Sequence, residues 1–253
     1  MGMSQQLLAG VLSGGGGGAP PAFVPTDIAG LKLWLKSNDP ATIHATGSVV
    51  DTWDDKSGQA NHATATTALR PTTGTRTINA KNVLDFDGLS DWMVLPSGLY
   101  TMPNGPNTLF SVYASDNTGD ATQELVCGTN AGTGIRFCSA FTATDFAVMN
   151  RTTSAALTTK ADVRDTNTRI SGFKRSGVNI TPFVNGVKGT DGTNSENFTC
   201  TALFLATAAI GGTNRFNGVM AEHIWYDSAL SDADCNRVGA YLATEWGATW
   251  TGF

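Results

Sequence analysis

Charge is scarce in this chain. Charged residues are 15% of its 253 residues, the formal net charge is -5, and the pI is about 5.1. That excludes a basic field strong enough to hold nucleic acid. Only three histidines occur, His44, His62 and His223, too scattered for spacing to propose a Ser-His-Asp set or a metal cluster. The four cysteines, Cys127, Cys138, Cys200 and Cys235, show neither CxxC nor zinc-finger spacing. No apolar run reaches the roughly 18 residues of a membrane span. The opening MGMSQQLLAGVL has no basic n-region, and its apolar run is short for a secretory signal. Gln6 stands where N-myristoylation wants Ser or Thr.

Glycine is plentiful instead, at 29 residues, and Thr and Asn are frequent. Such a composition suits short strands joined by turns. Phe216–Gly247 organises the chain. Val219, Ala221, Ile224 and Trp225 make an apolar strand, and Tyr226-Asp227-Ser228 breaks it. Ser231 then stands where an N-cap belongs, with Asp234 three positions on. Cys235, Val238, Leu242 and Trp246 follow at helical spacing, and Gly247 fits the C′ position. This stretch predicts one helix lying against sheets.

Leu31–Lys36 alternates with period two, and Val49–Trp53 is a second strand. Residues 59–77 are polar and Thr-rich and read as loop. VLDFDG and WMVL read as paired strands joined by Gly88-Leu89-Ser90-Asp91. Further strands are expected at 108–114, 124–127, 134–138, 146–150, 169–174, 180–184 and 203–210. Asn185-Gly186 between extended runs is a strong hairpin signal. About twelve short strands with one helix indicate two stacked antiparallel sheets.

Residues 1–25 form a separate unit. Leu7, Leu8, Val11 and Leu12 give an apolar tip, followed by glycines at 14–18 and Pro20-Pro21. One reading is a leader without fixed structure; the other is an anchor that orders when docked on a larger assembly. The cysteines read first as buried thiols. A hairpin turning at Gly132-Thr133 would also set Cys127 opposite Cys138, within reach of a bridge.

Several side chains carry two readings. Trp34, Trp53 and Phe86 stack on sugars or fill the core. Asp54 and Asp55 bind calcium or cap a turn. Asn197-Phe198-Thr199 fits a glycosylation acceptor, and Lys160, Arg164, Arg169, Lys174 and Arg175 form a mild basic cluster that reads as a solvated face. The glycine run lacks the Lys-Ser/Thr and the preceding strand of a phosphate loop.

Leu33-Trp34-Leu35, Trp53-Asp54-Asp55-Lys56-Ser57-Gly58, Arg70-Pro71, Phe86-Asp87-Gly88, Val184-Asn185-Gly186, Phe216-Asn217-Gly218, Glu222, Tyr226-Asp227, Leu230-Ser231-Asp232 and Trp246-Gly247 occur in that order. In this order they resemble the concanavalin A-like, laminin G-like jelly-roll domain of bacterial and phage type, over residues 25–247. The resemblance implies an all-β, two-sheet antiparallel jelly-roll sandwich with a short C-terminal helix, covering residues 26–253. Some glucanases of that superfamily carry Glu-X-Asp-X-Glu on one strand, where alternation sets the carboxylates on one face. Here Glu124, Glu196, Glu222 and Glu245 never share a strand, and Glu222 lacks a carboxylate two residues away.

The expectation is therefore a protein that is not an enzyme: a virion accessory, decoration, collar or tail protein of a tailed phage, assembled in the host cytoplasm. Its arm, through Leu7, Leu8, Val11 and Leu12, would hold other virion proteins, and its lectin-like head would touch cell-surface glycans. By analogy it is a homo-oligomer, a trimer being one form. No cofactor, metal, nucleic acid or membrane partner is expected. A purely structural decoration protein and a glycan-active hydrolase remain open as alternatives.

Overall fold

The computed structural model describes residues 22–116, 122–129, 136–141, 145–150, 155–161, 165–195, 200–207 and 214–253. Its strands are β1 Leu31–Lys36, β2 Ile43–Thr46, β3 Val49–Trp53, β4 Ala63–Thr64, β5 Thr77–Ile78, β6 Lys81–Asn82, β7 Leu84–Asp87, β8 Met93–Leu95, β9 Asn107–Ser115 and β10 Gln123–Thr129. Next come β11 Arg136–Phe141, β12 Asp145–Asn150, β13 Ala155–Ala161, β14 Arg169–Ser176, β15 Asn179–Val184, β16 Val187–Lys188, β17 Gly192–Thr193, β18 Ala202–Leu205 and β19 Asn217–Tyr226. The helix α1 spans Asp232–Trp246.

Two antiparallel sheets form a sandwich. One runs β1-β19-β9-β14-β15-β16, with β7 beside β19 and β17 beside β15; the other runs β13-β12-β11-β10-β18-β8-β4-β3-β2. Leu33, Leu35, Trp53, Phe86, Leu109, Phe173 and Trp225 fill the space between them. A second apolar layer lies outside the first sheet, where Trp34, Phe110, Val112, Ile224 and Tyr226 meet Cys235, Val238, Leu242 and Trp246 of α1. Because both faces of the first sheet are covered, β9 and β19 are buried nearly end to end. Their polar residues, among them Asn107, Thr108, Ser111, Glu222 and His223, are therefore buried too, and burial does not alternate along either strand.

The helix ends follow local chemistry. Asp234 donates its backbone N–H to Ser231 Oγ at 3.1 Å, and Gly247 takes φ +65°. Asn185 and Gly186 have φ of +51° and +84°, as a two-residue I′ turn between β15 and β16 requires. The chain's last residues lie on the outer layer. Trp250 and Phe253 pack against Phe183, and Asn236 Oδ1 accepts from Trp250 Nε1 at 3.1 Å and from Phe253 N at 2.9 Å.

Three expectations change. VLDFDG and WMVL do not pair: β7 joins β19 in one sheet and β8 joins β18 in the other. The loop between them crosses the sandwich and is held by Asp87, whose carboxylate accepts the N–H groups of Leu89, Ser90 and Asp91 at 2.7–2.9 Å. Second, the polar stretch 59–77 contains β4, which links β3 to β8. Third, the basic cluster disperses. Arg175 is buried with its guanidinium on the carbonyls of Pro103, Gly177 and Asn194. Lys174 pairs with Asp232, and Arg169 with Asp165. Arg164 lies outside the described residues.

Candidate functional site

The site is built at the end of β1. Ser37-Asn38-Asp39-Pro40 turns the chain away from that strand, with Asp39 capping the turn at Ala41 N. Asn82 fastens the opposite bank. It donates from Nδ2 to Ser37 O at 3.1 Å and to Thr73 Oγ1 at 2.8 Å, and its Oδ1 accepts from Gly74 N at 2.8 Å. Backbone bridges Val49–Thr72 and Thr72–Asp85 tie this segment to both sheets. The result is a groove of about 590 Å³ between the β2–β3 hairpin and the 73–82 segment. Pro40, Ile43 and Ala45 give it an apolar wall, while Ser37, Ser48, Thr73 and Asn82 bring hydroxyls and an amide.

A second hollow of about 360 Å³ continues it, because Asn38 and Pro40 line both. Here the walls are Trp34, Tyr241, Lys36 and Lys56. Lys56 Nζ lies 5.4 Å from the Trp34 ring centroid, and Lys36 Nζ lies 5.4 Å from that of Tyr241. Lys56 pairs with Asp39; Lys36 pairs with Glu245 at 2.9 Å and donates to Tyr241 Oη at 3.1 Å. Asn38 donates to Glu245 Oε1 at 2.8 Å, and its buried Oδ1 has no hydrogen-bond partner. Burial opposes ionisation of Glu245, but Lys36, Lys81 and Asn38 outweigh it and hold its carboxyl down at about 2.

Behind this wall sits Glu222, fully buried. Its Oε1 accepts from Trp34 Nε1 at 2.6 Å and Tyr241 Oη at 2.9 Å, and its Oε2 accepts from Trp246 Nε1 at 2.6 Å. Burial pushes the carboxyl above the usual carboxylate range, against the pull of Lys36 and these donors. One carboxylate thus joins β19, β1 and α1.

The residues singled out in the sequence divide. Trp53 and Phe86 are fully buried between the sheets, whereas Trp34 lies under α1 and reaches the hollow. Asp55 caps the turn after β3, accepting from Trp34 N, Ser57 N, Ser57 Oγ and Asn61 N at 2.6–2.9 Å. Asp54 takes His44 Nε2 at 2.6 Å and lies 3.0 Å from His62 Nδ1. His223 is sealed in the core against Trp53 and Ser111, and burial pushes its pKa down to about 3. Glu124 is buried and accepts from Asn214 at 3.4 Å. Among the described residues no three His, Cys, Asp or Glu side chains converge as a metal site needs.

Cys127 stands in register with Cys138 across β10 and β11. Cys127 is disulfide-bonded, while Cys200 and Cys235 are free, buried thiols. Leu7, Leu8, Val11, Leu12, Glu196 and Asn197-Phe198-Thr199 lie outside the described residues. The groove residues Asn38, Pro40, Ile43, Asn82 and Tyr241 were not singled out in the sequence. In the sequence Asn38-Asp39-Pro40 reads only as a turn between two strands, and its juxtaposition with the 73–82 segment is long-range.

No family model matches the chain, and no curated protein does. Solved structures do match. A Trypanosoma rangeli sialidase in complex with 2,3-difluorosialic acid superposes with a TM-score of 0.62 at 15% identity, over 86% of this chain and 34% of that one. Domain 4 of AbnA, a GH43 extracellular arabinanase from Geobacillus stearothermophilus, in complex with arabinotriose, superposes with a TM-score of 0.58 at 12% identity, over 79% of this chain and 94% of that domain. The chain spans about a third of the length of the sialidase. It is thus a two-sheet antiparallel β-sandwich with one short C-terminal helix, a fold it shares with these domains. This finding corrects the expectation that the chain is not an enzyme. The fold occurs within a sialidase and an arabinanase, so a non-catalytic role does not follow from it. Likeness at these identities establishes the fold and no activity.

Proposed function

We propose that the chain is a carbohydrate-binding β-sandwich whose ligand lies along the groove from Ser48 and Thr73, past Asn38, to Trp34 and Tyr241. The observation that carries this reading is the groove itself. Hydroxyls and amides stand over an apolar wall, with aromatic rings at one end, as saccharide recognition requires. The arabinanase domain of similar fold, captured with arabinotriose, supports the ligand class. As part of the same proposal, the sandwich is of the bacterial and phage laminin G-like type, carried on a virion as an oligomer. Leu7, Leu8, Val11 and Leu12 would be its anchor; the sequence of the arm alone supports this.

A glycan array followed by calorimetry tests the binding. Micromolar to millimolar affinity for at least one oligosaccharide, lost in Ile43→Arg, is the expected result. Silence on the array, or full affinity in Ile43→Arg, refutes it. Deletion of residues 1–22 tests the anchor: undiminished copy number on particles rejects it.

A further inference from the structure

We propose that the Lys36–Lys56 end of the groove selects an acidic saccharide, one whose carboxylate or sulfate ester lies between the two ammonium groups. The inference rests on the reading of the groove as a saccharide site and adds the charge of its ligand. Three ammonium groups, Lys36, Lys56 and Lys81, share two carboxylates here, Asp39 and Glu245. On the solvent side of the wall the lysines thus outnumber the carboxylates, while the third carboxyl group, Glu222, lies buried behind it within the field of Lys36. The Lys36 and Lys56 side chains are only 17% and 27% exposed, so their charges are less screened than those of free surface lysines.

Both ammonium groups are also held in place. Each rests over an aromatic ring, Lys36 over Tyr241 and Lys56 over Trp34. An ammonium has three N–H donors. Lys56 commits one to Asp39, and Lys36 commits two, to Glu245 and Tyr241 Oη. The remaining donors are available to a ligand anion. The Glu222 carboxylate behind the wall is turned to three donors of its own. Nearby, the hydroxyl and amide groups of the wider groove suit the uncharged part of the same chain.

Calorimetry on the full chain tests this with trigalacturonate, a sulfated trisaccharide, maltotriose and arabinotriose, at low and high salt. Acidic trisaccharides are expected to bind about tenfold or more tighter than neutral ones, with the margin shrinking as salt rises. The two acidic arms separate carboxylate from sulfate. Lys56→Gln is expected to lower acidic affinity roughly three- to tenfold more than it lowers neutral affinity, so that the preference for acidic ligands shrinks. Lys56 is chosen because Lys36 also helps to neutralise Glu245, and its loss could unfold the site. Lys188→Met, on the β15–β16 hairpin, serves as control and is expected to change nothing. Neutral ligands binding as tightly as acidic ones, or Lys56→Gln without effect, would overturn this inference and leave the groove reading standing. Binding of no saccharide at all would overturn both.

Discussion

Replacing Glu222 by Gln tests the central joint of this molecule. The substitution keeps shape and removes one acceptor oxygen. Oε1 now serves Trp34 and Tyr241, and Oε2 serves Trp246. A glutamine can satisfy one side only, and its NH2 must then face another donor. The best arrangement keeps the Trp34 and Tyr241 bonds and opposes NH2 to Trp246 Nε1. One charge-assisted bond, about 1.5–3 kcal/mol, is lost, and an orphaned indole donor costs about 1–3 kcal/mol more. Relief from burying a charge offsets part of this. The net expectation is a loss of about 2–4 kcal/mol, or roughly 5–15 °C in Tm for a chain of this size.

Urea unfolding measures it, with a double-mutant cycle to assign the cause. Trp246→Phe removes the indole donor while leaving a ring. In that background Glu222→Gln has no opposed donor, so its cost should fall by about 1–2 kcal/mol. A single-mutant loss within about 0.5 kcal/mol of zero, or strict additivity in the cycle, would refute the three-donor account.

Asp91 gives a pH test. Burial, with the Asp87 and Asp85 charges nearby, holds it up at about 6 against an unfolded 3.8, so folding favours its protonated form and stability falls as pH rises through that interval. After allowance for partial solvent screening the loss is about 1–1.5 kcal/mol; Asp91→Asn should remove it, gaining stability at pH 8 and none at pH 3. Denaturant midpoints at both pH values decide, and parallel pH profiles reject the assignment. Gly239→Ala, normally a gain of about 1 kcal/mol in a helix, should here cost about 1–3 kcal/mol, because its Cβ would lie 2.1 Å from Trp250 Cε2. Red-shifted tryptophan emission in the variant would report displacement of the C-terminal segment, and a rise in Tm contradicts the packing. Denatured but unreduced protein should show two reactive thiols, Cys200 and Cys235, and four after reduction; four without reductant rules out the Cys127 bridge.

The elements legible in the sequence are those whose chemistry is local. Ser231, Asp234 and Gly247 mark both ends of α1 because caps involve neighbours within one turn. Asn185-Gly186 announces its hairpin for the same reason. What failed to read is non-local. Gly88–Asp91 looks like a hairpin turn, yet it carries the chain between sheets, since pairing is decided by β18 and β19 more than 100 residues away. Lys36 reads as the outward end of a strand, and only the folded chain brings Tyr241 and Glu245 to it. Tyr241 gave no signal of its own, lying beside the helix's apolar stripe.

Stability and the proposed site share one anchor, which constrains how binding data on this molecule are to be read. Trp34 and Tyr241, the rings on which Lys56 and Lys36 rest, are both positioned by Glu222 Oε1. Any change at Glu222 therefore loosens the groove wall while it weakens the hold of α1 on the sheet. A loss of affinity there would follow from either cause. Lys56 escapes this ambiguity, because it stands at the solvent side of Trp34 and makes its ion pair to Asp39 in a turn, outside the Glu222 network. Ligand selectivity should accordingly move with Lys56 at unchanged Tm, and fold stability should move with Glu222 whether or not a saccharide is present.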